Sequence, residues 1–198
     1  MDDIVKQAMA RWPNVPYCYG WLGLDRRGQW RLRNEYAQQN GLSGDPIRLP
    51  ALIAFIERNY LRDDSGAWYF QNGPQRVFVA LDYSPWILRL HGDALRTTTD
   101  RAFTASACHV DEQGNVVMAG EVEGETGTHA ALLHDHDLDG FTALCQWHGE
   151  ACGAELGRLR LPGLELSIEP IAADDVPRRY GFVRKPAPAA GPATEPAN

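Results

Sequence analysis

The chain is poor in the groups that would mark a function outright. Its 198 residues hold four cysteines, Cys18, Cys108, Cys145 and Cys152. They are too few and too scattered to build a disulfide scaffold. No apolar run approaches the ~20 residues that a membrane-spanning helix needs. The opening Met1-Asp-Asp-Ile-Val-Lys has no basic region followed by an apolar stretch, which argues against a secretory signal. Positive charge is scarce and never clusters: 19 basic residues face 26 acidic ones, for a net charge of −7. Arg26–Arg27 and Arg178–Arg179 read as solvated turn or edge residues. A duplex-binding face needs concentrated cations to displace counterions. The expectation is a cytoplasmic protein with reduced thiols, whose partners include neither a membrane nor nucleic acid. No internal repeat and no recognised catalytic signature is present.

What the chain does have is unevenly spread. Residues 1–100 carry 12 basic and 11 acidic side chains, whereas residues 101–198 carry 7 and 15. Tryptophan and tyrosine crowd residues 17–90. All thiols and imidazoles except Cys18 and His91 fall in residues 108–152. The length suffices to bury a core without metal or disulfide support.

Local patterns predict the elements. Ile4, Val5, Ala8 and Met9 give one face to a short helix ending at Arg11. Residues 17–24 and 29–33 flank the turn Asp25–Gly28, and Trp30 alternates with Arg31 and Leu32, which reads as a hairpin. Leu52, Ile53, Phe55, Ile56 and Tyr60 recur at helical spacing behind Pro50, so residues 50–61 form the main amphipathic helix. Strands follow at 67–71 and 75–81 around Asn72-Gly73, and at 86–90. Residues 91–104 are polar and Thr-rich and read as a join. Further strands are expected near 104–111 and 116–119, with a hairpin at 156–168 and an edge strand at 181–183. From Lys185 the chain has little to bury and reads as a disordered tail. The fold class expected is α+β and mostly β: antiparallel sheets packed on one main amphipathic helix. Its parts are an aromatic-rich 1–90, a second β-rich 105–184 and the tail 185–198.

Several segments together suggest a family. Gly28-Gln-Trp30, Gly44-Asp-Pro-Ile47, Leu49-Pro-Ala-Leu-Ile53, Asp64-Ser-Gly66-Ala-Trp68-Tyr69, Val77-Phe-Val79 and Ser84-Pro85-Trp86 span residues 28–90. This stretch resembles small bacterial proteins of unknown function, two-part and mostly β, which open with a tryptophan-bearing hairpin followed by a short helix. The resemblance implies architecture and transfers no catalytic residue.

Three groups of residues carry chemistry in principle. Cys145-x2-His148-x3-Cys152 offers two thiols and an imidazole, and His134 or His136 could add a fourth ligand for tetrahedral zinc, structural or hydrolytic. The spacing matches no standard finger or ribbon, and Cys145 in an apolar run also reads as a core thiol. His134-Asp-His-Asp-Leu-Asp139 is compatible with a divalent-metal phosphohydrolase motif or a catalytic acid–base pair and equally with a solvated turn. Cys108 and His109 are adjacent on an expected strand and therefore point to opposite faces, which suits a core thiol better than a nucleophile beside its base. A fourth group is non-catalytic: Tyr17, Tyr19 and Trp21 exceed what one buried strand needs and suit a surface that contacts a protein or a small molecule. The reading favoured is a binding or structural role through those rings. The alternative is a zinc-binding protein using His134, His136, Cys145, His148 and Cys152.

Overall fold

The computed structural model describes residues 1–148 and 155–188. Helix α1 (Asp3–Arg11) buries Val5 and leaves most of its surface in water. Strands β1 (Cys18–Leu24) and β2 (Trp30–Leu32) form the expected hairpin, with Leu22 opposite Leu32 and Leu24 opposite Trp30. A short helix α2 (Glu35–Gln39) and the two-residue strand β3 (Asp45–Pro46) follow. Helix α3 (Pro50–Arg58) starts on proline, whose missing N–H falls where no intrahelical partner exists anyway. Strands β4 (Tyr60–Arg62), β5 (Trp68–Asn72) and β6 (Gln75–Leu81) complete a sheet ordered β3-β2-β1-β6-β5-β4. Its pairs are antiparallel except β1 with β6.

The second sheet begins with β7 (Trp86–His91) and β8 (Ala94–Thr97), then β9 (Phe103–Val110), β10 (Val116–Val122) and β11 (His129–Leu133). A single 3₁₀ turn at Asp135–Asp137 leads into α4 (Leu138–Ala143) and β12 (Cys145–Trp147). Strands β13 (Gly157–Leu161) and β14 (Leu164–Pro170) form the last hairpin. The order is β12-β13-β14-β9-β10-β11-β7-β8. Strand β11 is buried at every position, as a strand covered on both faces should be. Helix α5 (Asp175–Tyr180) ends on Gly181 in the left-handed region, φ +64°. The chain then crosses to the first sheet, where Val183 bridges Ala67 and the Leu81 N–H donates to the Arg184 carbonyl at 2.7 Å.

The fold is α+β and dominated by β-sheet. Helix is spread over five short segments, and α1 and α3 are equal at nine residues. The expectation of one principal helix beneath the sheets is therefore corrected. The reason lies in the core. Trp30 packs on Tyr60, and Tyr60 and Trp68 of the first sheet pack against Trp86 of the second, with Tyr60–Trp68 ring centroids at 4.7 Å and Trp68–Trp86 at 5.3 Å. The rings join one hydrophobic cluster that includes residues of both sheets. The sheets thus seal each other, and α3 buries only Ile56 completely. Residues 91–104, read as a polar join, contain strand β8, which pairs with β7.

Candidate functional site

Alternation along β6 decides what the outer face of the first sheet looks like. Val77, Val79 and Leu81 belong to the main core, so Arg76, Phe78 and Ala80 face the other way. On β5 the same rule turns Trp68 and Phe70 inward and Tyr69 outward, directly across from Phe78. Strand β1 adds Tyr19, whose ring stacks on Phe78 at 4.6 Å with 2° between the planes. Tyr17 meets the same phenylalanine edge-on at 5.7 Å. The Arg76 guanidinium lies 4.7 Å from the Tyr69 ring centroid and 5.5 Å from that of Tyr17. Tyr69 and Phe78 are buried beneath these groups in a small separate cluster with Ala67.

Trp21 falls on this outer side by alternation with the inward Leu22 and Leu24, next to a bulge. Gly20 adopts φ +80°, and the β1–β6 register shifts between Cys18 and Leu22. Leu22 and Leu24 point inward, while Trp21 stays 41% exposed and Tyr17 54% exposed. Burial pushes the Tyr19 and Tyr69 phenols upward, so both remain neutral hydroxyl groups at physiological pH. The surface is a row of rings with one cation over it, able to stack on apolar or aromatic groups and to meet a negative charge through Arg76. Tyr69, Arg76 and Phe78 were not expected at this surface. The signal was the alternation of 75–81, which separates Arg76 and Phe78 from Val77 and Val79, and that of 68–70, which separates Tyr69 from Trp68 and Phe70.

The histidine-rich segment is organised by charge pairs. His134 caps the 3₁₀ turn, and its Nδ1 accepts the His136 backbone N–H at 3.1 Å. The same nitrogen lies 2.9 Å from Asp135 Oδ1. These two contacts need opposite protonation. The backbone N–H can only donate, and burial lowers the His134 pKa, so we assign a neutral ring with an accepting Nδ1. Asp135 is instead satisfied by the Arg27 guanidinium, with Nε at 3.0 Å from Oδ2, and that pairing holds its carboxyl below the usual range. Asp137 is taken by Arg89 Nε at 2.7 Å and by the Leu90 N–H at 3.0 Å. Asp135 and Asp137 therefore act as structural acceptors for arginines distant in sequence, Arg27 of the first hairpin's turn and Arg89 of β7.

Cys108 and His109 occupy opposite faces of β9, and both are buried. Burial pushes the Cys108 thiol up to about 12, which keeps it from acting as a thiolate. His109 Nε2 shares a hydrogen bond with the Tyr180 hydroxyl at 2.6 Å, tying β9 to the end of α5.

The zinc expectation is overturned. Among the described residues no group of three or more His, Cys, Asp or Glu side chains could hold a metal ion. Cys145 donates its thiol to the Phe141 carbonyl at 3.1 Å, and burial raises it to about 11. His148 lies 3.7 Å from Glu155, and His134 and His136 are engaged in their own turn, with ring centroids 4.8 Å apart. Cys152 lies outside the described residues. Among those residues, too, no helix is long and apolar enough to cross a membrane.

The family model DUF2944, described as "Protein of unknown function (DUF2946)", matches residues 1–187, and the chain belongs to that family. A solved structure, the crystal structure of a DUF1285 family protein from Silicibacter pomeroyi DSS-3, is similar at 14% identity. That likeness covers 85% of this chain and 96% of the other, with a TM-score of 0.48, too low to carry an argument. A search of curated proteins finds no match. The expectation of a family of unknown function with a mostly-β structure holds.

Proposed function

We propose that this chain is a cytoplasmic binding module that docks another protein, rather than nucleic acid, on the outer face of its first sheet. Tyr17, Tyr19 and Trp21 are the contact rings, with Arg76 as the polar anchor. One observation carries the reading: Tyr17, just before β1, and Trp21, on it, keep their rings largely in water, and the Arg76 guanidinium already lies over the Tyr17 ring. Exposed apolar surface of this kind is costly to keep and marks interaction sites, and Trp, Tyr and Arg dominate the energetics of such contacts. An extended sheet face suits a protein better than a small molecule, which prefers a concave site. On this reading residues 1–90 form the binding part and residues 105–184 the supporting part; the tail expected from residue 185 lies, from residue 189 on, outside the described residues. No catalytic role is assigned to any residue.

The test is site-specific photocrosslinking from position 17 or 21, with position 36 as an exposed aromatic control. A single defined adduct from positions 17 and 21, absent from 36, is expected. The captured protein, purified, should then bind at least tenfold more weakly to a Tyr17→Ser/Trp21→Ser variant. Equal adducts from all three positions, or unchanged affinity of the variant, would overturn the proposal.

A further inference from the structure

Strand β9 changes partners along one of its edges. On the other edge it is paired with β10 from Phe103, opposite Val122, to Val110, opposite Val116. On the changing edge, Ala102 just before β9 forms an isolated antiparallel bridge with Arg96 of β8. Farther along, Cys108, His109 and Val110 run parallel with Ile168, Glu169 and Pro170 of β14. The bridge brings β8, last in the strand order, back against β9, so β9, β10, β11, β7 and β8 close into a ring. Between the bridge and the β14 pairing, residues 103–107 have no strand alongside among the described residues.

Both neighbours splay away there. From the bridge, β8 runs back through Leu95 and Ala94 paired with β7, and Leu164, Leu166 and Ser167 of β14 are paired with β13. The space between them is a slot of about 580 Å³, lined by residues 93–96, 102–105 and 161–164. Its volume is that of a ligand site. The rim is open: Ala94, Thr104, Pro162 and Gly163 are exposed, and Leu161 and Leu164 are half-buried.

The backbone that faces the slot is unspent. The Glu123 N–H donates to the Ala102 carbonyl at 2.9 Å, and the same register sets Thr104 opposite Glu121 and Ala105 opposite Gly120. Along an antiparallel ladder, residues turn their N–H and C=O alternately toward the partner and away from it. Ala102 and Thr104 therefore face β10, and Ala105 turns both groups toward the slot, where no strand among the described residues meets them. Unpaired strand backbone is a template for another chain. Residues 102–107 read Ala-Phe-Thr-Ala-Ser-Ala and carry no charge to repel one, and Arg96 at the rim is already paired with Asp100 at 2.6 Å.

We infer that this slot takes an extended, uncharged segment of another polypeptide, which adds one strand beside residues 103–107. What the site lacks is the hydrogen-bonding partner of a strand, and a peptide backbone supplies it. Alternate side chains of the incoming segment meet Leu161 and Leu164 at the tip of the last hairpin. A second folded copy does not fit, because the open stretch of β9 lies between β8 and β14 and not at an outer margin of the sheet. Only a single strand can enter. The slot belongs to the second sheet and is separate from the outer ring face of the first.

The probe is a capped hexapeptide of alternating threonine and valine, and its control is the same peptide N-methylated at every amide, which keeps the side chains and removes the donors. Titration of the full chain, followed by calorimetry, should show saturable binding of the first and at least tenfold weaker binding of the second. Amide hydrogen exchange at Ala105 should slow at least tenfold at saturation, while exchange at Trp21 on the outer ring face stays unchanged. Ala105→Pro removes the N–H that faces the slot and none that faces β10, and should weaken binding at least tenfold. If that variant does not fold, the N-methylated peptide and the exchange at Ala105 answer the question in the wild-type chain. Equal binding of the two peptides, full affinity in Ala105→Pro, protection at Trp21 in place of Ala105 or no binding at all would each overturn the inference. So would a dimer of the peptide-free chain, seen by sedimentation, that protects the Ala105 amide, since the slot would then belong to a second copy.

Discussion

The two sheets handle their apolar side chains in opposite ways. Eleven large apolar residues stay exposed among the described residues, and all but Trp147 fall within the first 52. The central strands of the second sheet hide theirs, β11 being fully buried and β10 buried at every position except Glu121, while Trp147 on the edge strand β12 stays exposed. Charge follows the same division, since the acidic excess belongs to residues 101–198. The centre of the second sheet is sealed from water. The first combines a buried ring cluster on its inner face with uncovered rings on its outer face. An aromatic-rich stretch can therefore serve as framework and as contact surface at once, divided by the alternation of its strands.

That division is most sharply broken by removing an inner ring. Trp68 is fully buried where the sheets meet, and Trp68→Ala should cost about 3–5 kcal/mol, read from the urea unfolding midpoint. A much smaller loss would mean that the sheets do not depend on that cluster. Next comes the support. A Cβ at Gly120 would collide with the Thr104 carbonyl oxygen at the β9–β10 bulge, so Gly120→Ala should cost about 1–3 kcal/mol. The contact at His109 is smaller: Tyr180→Phe leaves Nε2 without its partner and should lose about 1–2 kcal/mol.

The support should also respond to acid. Burial is the main cause that depresses the pKa values of His109, His129 and His134 below the ordinary 6.5. Below 6.5 the unfolded chain therefore takes up protons that the folded chain refuses. Stability is full above that pH and falls as the pH drops toward the folded-state values. Thermal midpoints measured from about pH 8 to about pH 5.5 should decline, and a flat profile would contradict the assignment of neutral buried rings. The smallest effect belongs to the outer face. Trp21→Ser should change stability by less than about 0.5 kcal/mol, in contrast to Trp68→Ala on the same sheet.

Local periodicity made most of the strands legible. The hairpin around Asp25–Gly28, the strands flanking Asn72-Gly73 and the hairpin at 156–168 were all readable from alternation and turn residues. Shorter elements escaped. Helix α2 was announced only by Asn34, whose side chain accepts the Ala37 N–H at 2.8 Å. Helix α5 was not expected, and its Pro177 does not oppose it. The proline sits within the first turn, where its lack of an N–H costs nothing, and Gly181 supplied the stop. Strand β8 was masked by polar residues, although Leu95 and Thr97 alternate inward. The zinc expectation grew from residues close in sequence that the fold holds in separate bonds. The Arg27–Asp135 pair joins positions 108 apart, and the stacking of Arg26 on Tyr83 likewise crosses between elements, so neither left a mark in local pattern.

Hydroxyl-radical footprinting of the intact chain tests the division between inner and outer rings most directly. Tyr17 and Trp21, about half exposed, should oxidise readily, while Trp30, Trp68 and Trp86 should be strongly protected in the same sample. Comparable protection of Tyr17, Trp21 and Trp68 would contradict the account, because the outer rings would then be covered within the molecule and unavailable to a partner.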